Sequence, residues 1–350
     1  NSEELKIDLD EMVTENKISA YLHARCIRVL SEGEKVTALV MAGKFGLGII
    51  KADFFIDATG DGDLCGDLKI PFYRNPFVQP STTGVKMLGL GHDLHDMPMI
   101  GNQSLNELLE MNRSKYNLPE GWGWSTDIPG LKGITFQALT RIYEDEADDG
   151  KSLTRAEMEG RRQIRIIMDI IRAHNKNGTP VGLVSLPAYI GIRETRHVHC
   201  RYQLVEQDIL SGVSFPDTIG HGTYRVDIHH SDKPGVTFRY LDGVQVYYRS
   251  GYKSEVSRWR GESPEYPRYY NIPLSSLIPA NFDNLLLAGR MLDADAGAFG
   301  AVRVMVNLNQ TGEAAGVAAY TALNSGKKTR AFDPSEIQRL LKAGGTALQI

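Results

Sequence analysis

Cysteine is scarce: Cys26, Cys65 and Cys200 are the only three in 350 residues, too few and too far apart for a disulfide framework or a four-thiolate metal cage. A reducing compartment is compatible with that count, and the cytoplasm is the expected location. Long apolar runs are absent too. Nothing approaches the ~18 consecutive apolar residues of a membrane span, and the opening NSEELKIDLDE has no apolar signal-peptide region. The chain begins at Asn1 rather than Met, which leaves an upstream targeting segment open. There is no basic excess either: 39 Lys and Arg against 43 Asp and Glu give −4, so neither nucleic acid nor an anionic membrane is an expected partner. A small-molecule substrate is expected, and a homo-oligomer is compatible with this balance. With 42% hydrophobic and 23% charged residues, disorder and coiled coil are poor readings, and the length suits two domains of roughly 100–200 residues. What the chain has in excess is glycine, 35 residues in 350, which points to tight turns or close approaches of backbone to a ligand.

Leu5, Leu9, Met12 and Val13 are spaced for a helix over 4–15. ISAYLHARCIRVL, VTALVMA and LGIIKA then read as three strands joined at SEGEK and GKFG, an antiparallel meander over 18–50. The unbroken apolar run 52–58 and the later DNLLLAGR read as strands buried on both faces. Six prolines between 71 and 150 predict loops and short elements. A helix is predicted over 154–176, with Thr154 and Glu157 at capping-box spacing, Met158, Ile164, Ile167, Met168 and Ile171 on its apolar side, five arginines on a solvated face, and Gly178 as its stop. Strand-like runs dominate 181–273, as in a mostly antiparallel sheet. An Ala- and Gly-rich helix closed by Gly326 follows, and Asp333 with Pro334 opens a last helix over 334–342.

Chemistry has few obvious seats. Gly60, Gly62 and Gly66 follow a strand, but their spacing departs from G-x-G-x-x-G, and Asp61, Asp63 and Asp67 put carboxylates where a pyrophosphate needs N–H groups. GLGHDL at 89–94 and GWGWST at 121–126 lack the third glycine. His197 with His199, His229 with His230, and His92 with His95 match no zinc spacing, so no metal is expected, and no G-x-S-x-G supports a serine nucleophile. In LLLAGRMLDADAGAFG a strand end, a Gly-Arg pair and two aspartates meet a small-residue helix; Asp293 or Asp295 suits ribose-like hydroxyls, or the stretch is simply a tight connection. In GIRETRHVHCRY, Arg193, Glu194 and Arg196 form either a surface ion-pair cluster or a site where one arginine holds a substrate carboxylate or hydroxyl.

Five blocks in order, FFIDATGDGDLCG at 54–66, SLTRAEMEGRRQI at 152–164, GIRETRHVHCRYQLVEQDIL at 191–210, YRVDIHH at 224–230 and NLLLAGRMLDADAGAFGAVRVM at 284–305, resemble a bacterial family of FAD-dependent oxidoreductases with the architecture of glutathione-reductase-like flavoproteins. The resemblance implies an α/β fold: a partial FAD-binding Rossmann-like domain with an antiparallel meander, over 1–70 and 275–326, an α+β substrate domain on a mostly antiparallel sheet over 71–274, and a C-terminal helix and tail over 327–350. It places Ala58, Thr59, Gly60 and Asp61 on the cofactor side, Gly289, Arg290 and Asp293 toward the flavin ribityl chain, and Arg303 with the helix from about 304 beside the isoalloxazine. Arg196 and His229 are the expected catalytic residues, His229 as a general base. The family's leading G-x-G-x-x-G unit, on the order of 100 residues with its neighbours, has no counterpart before the meander, which puts flavin binding by this stretch alone in question. DADAGAFG also departs from the polar His- and Glu-containing run often found after the Gly-Arg pair.

The implied function is an FAD-dependent oxidoreductase moving a hydride from a small organic substrate to flavin. The rival class is a non-catalytic, flavoprotein-derived scaffold or binding module without cofactor. An iron–sulfur cluster is a third reading, against which three scattered cysteines argue.

Overall fold

The computed structural model describes residues 1–90, 98–120, 123–143, 146–175, 180–250 and 252–348. Gly178, His92, His95, Gly121 and Trp122, all singled out above, lie outside them. Asn1 caps helix α1, Ser2–Glu15, by accepting from Glu3 N, and no residue of this helix is buried. The meander forms as expected from β1, Arg25–Glu32, β2, Lys35–Gly43, and β3, Gly46–Lys51, antiparallel in that order. Gly33 and Gly46 turn the chain with φ of 57° and 85°, where a side chain would be strained. The first strand starts at Arg25 rather than at Ile18. Its pairing ends at Arg25 opposite Ala42, one residue short of the end of β2, so the apolar residues before it have no partner strand.

The strand β4, Phe55–Asp57, pairs in parallel with the strand Leu285–Leu287. Leu285–Leu287 is fully buried as predicted, but in β4 only Phe55 and Asp57 are, while Ile56 is 36% exposed, so this strand is not covered on both faces. Asn284 fastens the meander to this pair: its side chain accepts from Val36 N at 2.9 Å and donates to Val36 O at 2.8 Å and Asp53 O at 2.9 Å.

A five-residue helix, α2, Asp63–Asp67, follows β4. The proline-rich middle contains more than loops: α3, Leu105–Tyr116, is a 12-residue helix with a full Ser104–Glu107 capping box, and Pro98 and Pro119 bracket it rather than break it. Helix α4, Gly150–His174, starts four residues earlier than predicted, because Asp149, not Thr154, accepts from the first-turn N–H groups. The Thr154 hydroxyl instead donates to Gly150 O, and Met158 is exposed rather than on the apolar face. The arginine face is solvated as expected, with Arg161 paired to Glu157, Arg162 to Glu159 and Arg165 to Asp169.

Two four-stranded antiparallel sheets follow the strand-like stretches. One joins Gly182–Ser185, Val85–Leu88, Ile134–Ala138 and Trp124–Asp127; the other joins Val226–His229, Val236–Arg239, Val244–Tyr248 and Glu255–Arg258. HVHCRYQLV is strand only at His197–Val198 and leads into helix α5, Glu206–Ser211. Helix α6, Ala296–Val302, which the sequence does not announce, is capped by Asp295 accepting from Ala298 N. Helix α7, Met305–Ser325, ends at Gly326 with φ 65°, and α8, Pro334–Ala343, opens on Asp333, both as predicted.

The result is a mixed α/β fold in which most strand pairs are antiparallel. One apolar core runs from Val29 through Phe55, Leu204, Ile272, Leu285–Leu287 and Phe299 to Leu341, and a second joins Val85 and Met87 to α3 and α4. No described helix is long and apolar enough to cross a membrane.

Candidate functional site

Two clusters of polar side chains stand out, one of them at the ends of the parallel pair. In the first, Asp57 at the end of β4 is fully buried and accepts from Thr59 N at 3.1 Å, Thr59 Oγ1 at 2.7 Å, Leu64 N at 3.0 Å and Cys65 N at 3.2 Å. The N–H groups that open α2 are thereby satisfied within the chain. Gly60 has φ 83°, and a Cβ there would lie 2.4 Å from Arg290 Nη1. Gly289, at the end of the neighbouring strand, has φ 138°, and its Cβ would lie 3.8 Å from Gly60 Cα. Both positions have φ values that strain a side chain, and Gly60 also leaves room for the Arg290 guanidinium. Arg290 donates to Asp61 Oδ1 at 2.5 Å, and Thr195 Oγ1 donates to the same oxygen at 2.8 Å. Asp293, 2% exposed, accepts from Tyr73 OH at 2.9 Å and Cys200 N at 2.8 Å, so its carboxylate ties two segments together.

Arg196 sits beside this cluster. Its Nε donates to Asp148, whose Oδ2 also accepts from Arg74 at 2.8 Å, and its Nη1 donates to Gly62 O at 3.3 Å. A Cβ on Gly66 would lie 2.1 Å from Arg196 Nη1, so glycine is what admits the guanidinium. Arg196 lines a cavity of about 790 Å³ between β1, α2 and the segment 146–149.

The second cluster lies at the strand Val226–His229. Residues two apart on a strand share a face, and Arg225, Asp227 and His229 all line one cavity of about 310 Å³, together with Arg141, Arg193 and Arg303. Helix α6 packs against this strand through Gly300, whose Cβ would stand 2.8 Å from Asp227 O and 3.0 Å from Asp227 N. Asp227 accepts from Tyr224 OH at 2.9 Å and lies 3.4 Å from Arg303 Nη2 and 3.3 Å from His229 Nε2. Burial alone would push its carboxyl up, but the neighbouring His229, the charge of Arg303 and the hydrogen bond from Tyr224 bring it well below the usual range.

Burial, then the charge of Arg193, pushes His229 down to about 3, so its imidazole is neutral at physiological pH. Its backbone N–H donates to Gln79 Oε1 at 3.2 Å, whereas the buried Nδ1 has no partner. Arg193 is pushed down to about 9 by burial and by Arg303 and Arg141, and stays charged at neutral pH. Glu194, next to it, is 2% exposed and accepts from Asn75 Nδ2 at 2.6 Å, Gln79 N at 2.8 Å and His197 Nε2 at 3.0 Å, bracing the loop rather than facing a cavity.

The sequence-predicted residues thus fall into two groups. Ala58, Thr59, Gly60, Asp61, Gly289, Arg290 and Asp293 gather at the strand ends. Arg303 joins His229 in one cavity, whereas Arg196, the other expected catalytic residue, lines the other. Sequence reasoning missed Arg141 and the pairing of Asp227 with His229. The alternation R-V-D-I-H carries a signal for the latter; nothing in TRIYEDE marks Arg141.

Comparisons with known proteins add the following. The sequence model described as FAD dependent oxidoreductase matches residues 1–341. No curated protein matches. Among solved structures, the flavin-dependent brominase Bmp2 is 12% identical, with 97% of this chain and 60% of that one covered at a TM-score of 0.36. BexE, studied for oxidation during BE-7585A biosynthesis, is 11% identical over 87% of this chain and 39% of its own, at 0.35. CabE, an aromatic hydroxylase from angucycline biosynthesis, is 10% identical over 51% and 31%, at 0.30. The chain therefore spans from about a third to three fifths of the length of these structures, likenesses too distant to bear on the site.

Proposed function

The chain belongs to the FAD-dependent oxidoreductase family, and from that premise we propose that it removes a hydride and a proton from a small organic substrate seated in the arginine-lined cavity, with FAD as its cofactor. The observation that supports this most is the geometry at His229: its buried imidazole stands 3.3 Å from Asp227 through Nε2, and its Nδ1 is unpartnered in that cavity. Such a nitrogen accepts a proton from a substrate hydroxyl or amine, and Asp227, 3.3 Å from Nε2, holds the ring and stabilises the imidazolium that results. FAD, when bound, supplies the two-electron acceptor.

The residues present fit such a cofactor. Gly60 and Gly289 clear the strand ends for close backbone approach, and the buried Nε atoms of Arg290 and Arg303 have no partner and are donors for the polar groups of a flavin. In this proposal 1–70 and 275–326 hold the cofactor, with Ala58, Thr59, Gly60, Asp61, Gly289 and Arg290 on its side and Arg303 at the border. Residues 71–274 hold the substrate. Asp293 keeps the ribityl side in place through Tyr73 and Cys200 rather than by direct contact. Arg196 positions the 191–196 loop through Asp148, and Arg193 is one of the arginines that line the substrate cavity.

Small alcohols and amines screened anaerobically for bleaching of the bound flavin's absorbance provide the test. For a substrate that bleaches it, His229→Gln is expected to slow the bleaching about 10²–10⁴-fold while FAD stays bound. Unchanged bleaching, or loss of FAD in that variant, would remove His229 from this role.

A further inference from the structure

The 310 Å³ cavity carries an imbalance that the proton transfer leaves unexplained. Among the described residues four guanidiniums, Arg141, Arg193, Arg225 and Arg303, face a single carboxylate, Asp227, and the imidazole beside them is neutral. Arg141 is the extreme case. It is 5% exposed, and its Nε, Nη1 and Nη2 are all buried without a partner. A buried, unpaired guanidinium is among the least favourable groups a fold can hold. Its backbone is pinned at the cavity, because the Gln163 side chain on α4 accepts from Arg141 N at 3.0 Å and donates to Arg141 O at 2.8 Å. Arg225 is held as firmly, with its guanidinium 3.9 Å from the Phe238 ring centroid. Fixed, charged and unpaired donors on rigid supports make a site for an anion.

The walls say which kind. Phe238, Trp124 and Ala138 share the cavity with the arginines, so an apolar body sits beside the charge, and the volume is at the lower end of the range for small organic ligands. Planar guanidinium forks match a carboxylate in two-point contact. We propose that this cavity binds an organic carboxylate, the carboxylate on Arg141 and Arg225 and the carbon body against Phe238, and that this is the substrate class of the oxidoreductase. The last clause rests on the function proposed above, and the carboxylate site does not.

The test titrates the full chain, calorimetrically and by thermal shift, with succinate and phenylacetate, with their amides succinamide and phenylacetamide, and with inorganic phosphate. Expected are saturable binding of at least one carboxylate, at least tenfold weaker binding of the matching amide, and at least tenfold weakening in Arg141→Gln. Arg225→Gln serves the same purpose if Arg141→Gln fails to fold, and Arg161→Gln, on the solvated face of α4, is expected to leave binding unchanged. Binding of neither carboxylate, equal binding of acid and amide, or phosphate binding as tightly as the carboxylates would overturn the proposal. FAD is titrated into the same samples. Competition between FAD and the carboxylate would assign the arginines to the cofactor and overturn the carboxylate site while sparing the flavoenzyme; carboxylate binding without FAD uptake would do the reverse.

Discussion

The strand-end cluster and the cavity beside Asp227 are both rich in arginine, and they treat it in opposite ways. At the strand ends each guanidinium meets a carboxylate: Arg290 meets Asp61, and Arg196 and Arg74 share Asp148. In the cavity four guanidiniums face, among the described residues, Asp227 alone, and the side-chain nitrogens of Arg141 have no hydrogen-bond partner. The first arrangement holds the chain together, and the second is held by the chain at a cost in stability. An arginine's role is therefore set by what it has to bond with.

That contrast can be broken or sharpened by measurement. The strongest effect belongs to Asp57→Ala, which leaves four donors around a fully buried position without their acceptor. We expect a loss of about 3–5 kcal/mol in denaturant unfolding; a loss under about 1 kcal/mol would show that the strand ends do not depend on their internal bonds. Next is Gly300→Ala, whose methyl would stand 2.8 Å from Asp227 O. Prying α6 from the strand is expected to cost about 1–3 kcal/mol in thermal unfolding and to weaken carboxylate binding, linking packing to the cavity.

The pH profile comes third. His229 titrates near 6.5 when unfolded and at about 3 when folded, so between those values the unfolded chain binds one proton more. Stability therefore falls as pH drops from about 6.5 toward 3, by up to about 1.4 kcal/mol per pH unit from this group. His229→Gln should flatten that limb, and an unchanged slope would contradict a buried neutral imidazole. The smallest effect has the opposite sign. Arg141→Met removes an unpaired buried charge and should stabilise the ligand-free protein by about 1 kcal/mol, whereas Arg290→Met, which strands Asp61, should destabilise it.

Much of the fold was legible because local rules decide it. Gly33 and Gly46 end the meander strands, Gly326 stops α7, and Asp333 with Pro334 starts α8. The failures came where a partner outside the local pattern decides. The apolar run at 18–24 looks like strand, but β2 is too short to pair with it. Thr154 looks like a cap, yet Asp149 stands in a better place to accept the first N–H groups. For the site, the glycine and acid residues at the strand ends were readable from motif order, and Arg303 and His229 do meet. Arg141 was invisible, since its importance lies in lacking a neighbour, and Gln163 fixes it from a helix 22 residues away.

The parallel pair has a consequence in time. Phe55 finds Leu285, and Val36 finds Asn284 across 248 residues, so the contacts that tie the meander and β4 to the strand Leu285–Leu287 form only after the intervening residues have been synthesised. At the ribosome, about 5–20 residues per second, that is a wait on the order of ten seconds or more. Throughout it, Phe55 and Val36 lack these two partners. Substitutions at Asn284 are thus expected to lower the yield of folded protein in cells more than they lower the stability of molecules that have already closed.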